Sequence, residues 1–275
     1  MTNFNISRFG RTLRWSAMMT KKEILTNAAA MTFAFAVPFV IHALSSRNRL
    51  EALVAQSLHD VTALNLGIYI IICMIGGCWL FNNMNTKEQR ITFKMLPATD
   101  LEKFVVRAIY VTVVWWVMAF AAFCLADLFR MLVCLVSGTE IVGSAVPDFL
   151  GMLFYDDNHT VNINGESEIF SFVAVVAAAN AWVFWVHSLY VLGGAFFRRR
   201  QFVLTTLVHF VIGLVFMPIV ISGVYKIDGD SLRESYDAAM WSVTAVFTLL
   251  GLLDWWLSYK IFRRMQVINN KWINL

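Results

Sequence analysis

The residues of this 275-residue chain best placed to do chemistry are ionisable side chains set inside long apolar runs. A charge in an apolar environment is costly, so each such position invites a functional reading. His187 lies 11 residues before Arg198, ~16 Å along a helix, and His209 lies nine after Arg200, ~13 Å. On consecutive antiparallel helices the two share a depth. Facing each other, they can line a polar path or relay protons near neutral pH. Two neutral histidines hydrogen-bonded to neighbouring helices satisfy the same spacing. Asn180 on the same run as His187 is suited to hydrogen bonding between helices and joins that polar set. Asp127 and Arg130 stand three apart on one helical face and are expected to pair. Asp254, flanked by Trp255 and Trp256, fits an interfacial belt where its carboxylate reaches headgroup water. No nucleophile–base pair appears at convincing spacing, and no third ligand accompanies the histidines. Neither an enzyme nor a metal site is therefore expected.

The elements that carry these residues are apolar segments. Hydrophobic residues make up 59 % of the chain and charged residues 15 %, against about a quarter charged in soluble domains. No polar stretch can hold a separate soluble core, so a single transmembrane domain over 1–275 is expected. Most of the 22 lysines and arginines fall in four regions: Arg8 to Lys22, Lys87 to Arg107, Arg198 to Arg200, and Lys260 to Lys271. The intervening connections hold Glu140, Asp148, Asp156, Asp157, Glu166, Glu168, Asp228, Asp230, Glu234 and Asp237. Basic loops stay cytoplasmic, with Arg47 and Arg49 as exceptions here. The alternation predicts an all-α polytopic protein with six transmembrane helices and both N- and C-termini cytoplasmic. The spans are expected near 25–44, 61–81, 104–126, 169–191, 202–224 and 238–259. The net charge of +4 follows from those loops and calls for no nucleic acid. The expected location is a bacterial cytoplasmic (inner) membrane, multi-pass.

Ahead of the first span, Ile6, Phe9, Leu13 and Ala17 recur at helical spacing beside Arg8, Arg11 and Arg14. This predicts a basic amphipathic interfacial helix over 4–19. It is too long for the basic leader of a signal peptide, so 25–44 is read as a span. Pro38 is expected to kink that span. The third apolar run continues to Val136, beyond the ~20 residues a bilayer needs, so Leu128–Val136 projects outward or folds back. An outer insert follows at 137–168. In the fourth span Ala174, Ala177, Ala178, Ala179 and Ala181 invite close helix packing. The four cysteines are read as small apolar residues, with Cys73 and Cys78 on different helical faces.

The second cytoplasmic connection carries the densest local signal. Thr99 with Glu102 three residues later is a capping box, and Asp100 adds favourable charge at a helix start. Pro97 disfavours helix at Leu96, so one helix ends before another begins. The stretch before it, within 85–98, can form a short amphipathic helix containing Thr86, Lys87, Glu88, Gln89, Arg90, Ile91, Phe93 and Lys94. The pattern Leu96-Pro97-x-Thr99-x-x-Glu102, followed by Arg107, resembles the signature of type-2 ABC exporter permeases. That resemblance spans nearly the whole chain in element order. It implies that the short helix is a coupling helix seated on a separate ATPase, touched through Thr86–Lys94. It also implies ATP and Mg on that partner, and a homodimer or a related permease as the second subunit. The chain itself has no Gly-x4-Gly-Lys-Ser/Thr loop, and no cofactor is expected in it. Its larger outer connection follows the third span, whereas the family's outer elements lie between spans five and six.

Two functions thus stand at this point. One is the permease subunit of an ABC-type exporter acting on an unidentified substrate. The other is a membrane-embedded accessory or interaction protein without a transport path.

Overall fold

Asn5 starts the first helix. Its side-chain oxygen accepts from the backbone N–H groups of Ser7 and Arg8, at 3.0 and 3.2 Å. From there α1 (Ile6–Ser45) runs without interruption. The expected break between an interfacial helix and a first span is absent, because 17–25 holds mostly good helix formers with neither glycine nor proline. Pro38 sits inside the helix. At ~1.5 Å per residue, α1's 40 residues are about twice the ~30 Å of a hydrocarbon core. Its apolar stripe is turned outward: Ile6 is 81 % exposed, whereas Thr12, Ser16 and Thr20 are buried.

The structure, a computed structural model, describes residues 4–47, 50–84, 86–139, 143–154, 160–163, 166–169, 172–197, 200–224 and 232–265. Arg198, Arg199, Lys271 and several acids of the connections expected to be outer, Asp156 and Asp228 among them, fall outside these. The helices that follow are α2 (Glu51–Ile75), α3 (Lys87–Lys94), α4 (Asp100–Ile109), α5 (Trp115–Ser137), α6 (Val146–Phe154), α7 (Phe172–Phe196), α8 (Gln201–Val224) and α9 (Leu232–Arg264). A 3-10 segment, Gly76–Met84, prolongs α2, and a π-helical segment, Tyr110–Val114, joins α4 to α5. That segment holds a run of β-branched residues, which crowd a regular α-helix. One short antiparallel strand pair, β1 (Thr160–Ile163) with β2 (Glu166–Ile169), interrupts the described residues, which are otherwise helical as the all-α expectation has it. It lies with α6 in the insert expected only as a connection. Among the described residues, five stretches are long and apolar enough to cross a membrane: Ile6–Ser45, Glu51–Asn82, Asp100–Ser137, Val173–Phe196 and Ala238–Arg264. The chain is a multi-pass helical membrane protein.

The helices fall into two compact units. The first contains 5–73 and 108–155. Its centre is aromatic: Phe35 and Phe39 of α1 lie 5.8 and 5.6 Å from Phe123 of α5, which meets Phe149 of α6 at 4.3 Å. Residues 128–136 do not fold back on the helix. The helix continues until Gly138, whose φ of 67° ends it in the left-handed conformation that favours glycine. Asp127 and Arg130 pair as expected, but in the interior, with each residue 1 % exposed. Arg130 Nε donates to Asp127 Oδ1 at 2.9 Å, and Asp127 Oδ2 accepts from Ser144 Oγ and the Ala145 N–H. The pair therefore fastens the chain leading into α6.

The second unit contains 74–107 and 156–275 with the first four residues. Here α7 packs along α9 and also against α8 and the 3-10 segment. Ala174, Ala178 and Ala181 are buried, in keeping with close packing of small residues. Gly77 permits a close approach to the backbone of α7. A β-carbon there would stand 2.6 Å from the His187 carbonyl oxygen and 2.7 Å from the Val191 nitrogen. Asp254 does not reach headgroup water. It is 6 % exposed and accepts from Ser188 Oγ at 3.0 Å, because its face of α9 is the one that packs on α7.

Candidate functional site

The connection between the 3-10 segment and α4 folds as two short helical starts separated by Pro97. At the first, Thr86 Oγ1 accepts from the Gln89 N–H at 3.3 Å while the Thr86 N–H donates to Gln89 Oε1 at 3.2 Å. This capping box starts α3. It was legible as Thr-x-x-Gln, though only the second box was singled out from the sequence. At the second, the Thr99 N–H donates to Glu102 Oε2 at 2.9 Å and Thr99 Oγ1 accepts from the Glu102 N–H at 3.2 Å. The expected box is present, and Glu102 is fully buried.

Three basic side chains then bind these pieces together. Arg107 donates from Nε to the Leu80 carbonyl and from Nη2 to the Trp79 carbonyl, each at 2.7 Å. Those carbonyls precede Phe81, whose φ of −113° and ψ of 19° leave the helical region. A guanidinium is well suited to carbonyls orphaned at such an end. Lys103 Nζ donates to the Lys94 carbonyl at 2.7 Å, capping the C-terminus of α3. Lys94 Nζ in turn reaches Asp100 Oδ1 at 3.2 Å and the Phe262 carbonyl at 3.0 Å, with the Phe262 ring centre 4.0 Å away. Thr99, Glu102 and Arg107 of the family-like motif are thus positioning residues for the start of α4 and the end of the 3-10 segment. Leu96 is half-buried and Pro97 exposed at the bend.

Beneath α3 lies an aromatic cluster. Phe93, 1 % exposed, meets Phe262 edge-on at 6.3 Å. Phe262 stacks on Phe81 at 5.5 Å and lies 5.9 Å from Phe104, which also meets Tyr259 and Trp255. Trp255, Tyr259 and Phe262 share a face of α9 by their spacing of four and three. That stripe was readable in the sequence, but nothing there named Phe93 as its partner.

The outward face of α3 is polar with two apolar points. Thr86, Lys87, Glu88, Gln89, Ile91, Thr92 and Met95 are exposed, whereas Arg90 and Phe93 are buried and Lys94 is half-buried. The Arg90 side chain is therefore covered, whereas that of Glu88 is exposed. The Glu88 carboxyl is held below the usual carboxylate range by its own backbone N–H in the first helical turn. The Thr86 hydroxyl and the nearby charges of Lys87 and Arg90 add to this.

The His187 ring lies 6.2 Å from Trp255, and the His209 ring lies 6.2 Å from Trp185. Each imidazole has its own tryptophan. Asn180 is exposed and donates to the Val176 carbonyl of its own helix at 2.8 Å, so it does not link two helices. Among the described residues, no two of the four cysteines form a disulfide. Among the described residues, no group of three or more His, Cys, Asp and Glu side chains is placed to hold a metal ion.

Comparison with protein-family models, with curated proteins and with solved structures gives no match.

Proposed function

We propose that this chain is the permease subunit of an ABC-type exporter of the cytoplasmic membrane, working with a separate ATPase that seats on α3. On this reading α8 (Gln201–Val224) is the sixth span, and both termini lie on the cytoplasmic side with α3. A second permease chain, identical or related, completes the pathway.

The observation that carries the reading is the two-sided character of α3. Its outer face presents charges and two apolar side chains for docking, while its inner face is keyed to α4 and α9. A push on α3 passes to α4 through Asp100 and Lys103. It passes to α9 through Phe93 and Lys94, whose partner Phe262 is 168 residues away in sequence. A helix that served only to turn the chain would not need both ends capped and both long basic neighbours tied to backbone carbonyls. The pathway itself would be built by movements of the apolar spans, since this chain binds no nucleotide by a phosphate loop.

Affinity purification of the tagged chain from its native membrane in mild detergent tests the proposal. A stoichiometric ATPase that is lost with Lys87→Glu and Glu88→Lys supports it. A chain without ATPase, under conditions where a control exporter stays assembled, overturns it in favour of an accessory membrane protein.

A further inference from the structure

Between α7, α8 and α9 the second unit encloses a half-open cavity of about 380 Å³. Leu192 and Phe196 of α7, Val208 of α8, and Leu257 and Ile261 of α9 form its walls. The hydroxyl of Thr205 donates to the Gln201 carbonyl of its own helix at 2.8 Å. Of the remaining polar lining, His209 Nδ1 is buried and makes no hydrogen bond among the described residues. A sugar, nucleotide or ion would find no set of polar partners in such a cavity. The volume suits a small apolar ligand. It is too small for another helix, whose diameter with side chains is about 10 Å.

The same face of α9 turns basic immediately beyond the cavity. Positions 257, 260, 261 and 264 fall on one side at helical spacing, so Lys260 and Arg264 follow Leu257 and Ile261 along one edge. Lys260, Arg263 and Arg264 line a second concavity of about 170 Å³. The Lys260 ammonium rests 3.6 Å above the Trp256 ring, an arrangement typical of the membrane interface. An apolar slot opening beside a cluster of exposed cations matches one class of molecule that the surrounding solvent supplies: a lipid with a hydrocarbon tail and an anionic head. We infer that the α7–α8–α9 cavity holds an acyl chain of an anionic membrane phospholipid, with its phosphate on the Lys260–Arg264 end of α9. The tail excludes water from the slot, tightening binding about fourfold per methylene buried. The cations select the headgroup. The site requires only the membrane placement, so its failure would leave the exporter reading as it stands.

The test uses the full-length chain in phosphatidylcholine nanodiscs carrying a phosphatidylglycerol probe with a diazirine in one acyl chain. A phosphatidylcholine probe with the same chain is run beside it. After illumination, labelled peptides are mapped by mass spectrometry. The expected result is labelling of 201–209 and 257–261 by the phosphatidylglycerol probe in preference to the phosphatidylcholine probe. Lys260→Gln and Arg264→Gln should each weaken it about fivefold, the effect of one charge near an anionic headgroup. Val208→Trp should fill the slot and abolish labelling there while labelling elsewhere on the protein persists. Equal labelling by the two probes, or labels spread around the protein without enrichment in these peptides, would mean annular lipid only and would overturn the site. Where Val208→Trp does not give a monodisperse protein, the comparison of the two probes on the unaltered chain decides alone.

Discussion

Asp127→Asn should be among the most damaging single changes in this protein. The carboxylate is 1 % exposed and accepts from Arg130 Nε at 2.9 Å, Ser144 Oγ at 2.7 Å and the Ala145 N–H at 2.9 Å. Asparagine is nearly the same size, so the change tests charge and acceptor capacity rather than volume. It leaves the Arg130 guanidinium, itself 1 % exposed, without its counter-charge. Breaking a buried pair from one side costs about 3–5 kcal/mol. For a chain of this size that corresponds to a fall in Tm on the order of 10 °C. Thermal unfolding in detergent measures the total. Modification of Cys134, buried one turn beyond Arg130, measures the local opening of the C-terminal end of α5. The double change Asp127→Leu with Arg130→Met should recover part of the loss, because two apolar side chains need no counter-charge, while the Ser144 hydroxyl and the Ala145 N–H still lose their acceptor. A single change costing less than about 1 kcal/mol, with Cys134 still protected, would show that the pair does not fasten α6 to α5.

Other consequences are local and measurable. Thr99→Ala should remove the cap of α4 and lower stability by about 1 kcal/mol, read as a small fall in Tm, with Thr99→Ser restoring it. Gly77→Ala should cost about 1–3 kcal/mol, because its β-carbon meets α7 backbone atoms that cannot rotate away, and thermal unfolding should show the loss. Phe93→Ala should destabilise the seat of α3 on Phe262 by about 3–5 kcal/mol, seen as increased mobility of a spin label at Met95. Glu88 has its carboxyl held below the usual range, so the support its charge lends α3 is present above the ordinary carboxylate pKa. That support disappears as pH falls through the lowered value. A label at Met95 should loosen on acidification in the wild-type chain and change less in Glu88→Gln.

How much of this was legible beforehand follows from the range of the interactions. The second capping box, the break at Pro97 and the short helix before it depend on neighbours within four residues, and all three are present. The Asp127–Arg130 pair is equally local. Its burial is not, because Ser144 and Ala145 come from a loop whose path the spacing does not fix. Helix ends were misjudged where nothing stops a helix: α1 continues through the segment expected to separate two elements, and α2 begins ten residues before the expected span. Asp254 illustrates the opposite error. Flanking tryptophans indicated an interface, but the carboxylate lies on the face that meets Ser188 of α7. The seat of α3 depends on Phe262 and Lys94, whose separation of 168 residues leaves no trace in a single sequence.

The most direct test of the proposed role is site-specific photocrosslinking in the native membrane. A photoreactive amino acid is placed in turn at Glu88 and Met95 on the outer face of α3, and at Phe93 on its buried face. Crosslinks from positions 88 and 95 to an ATPase, with position 93 crosslinking only within the chain, are the expected result. Crosslinks from all three positions to lipid or to this chain alone, with the protein folded and inserted, would contradict a coupling role for α3.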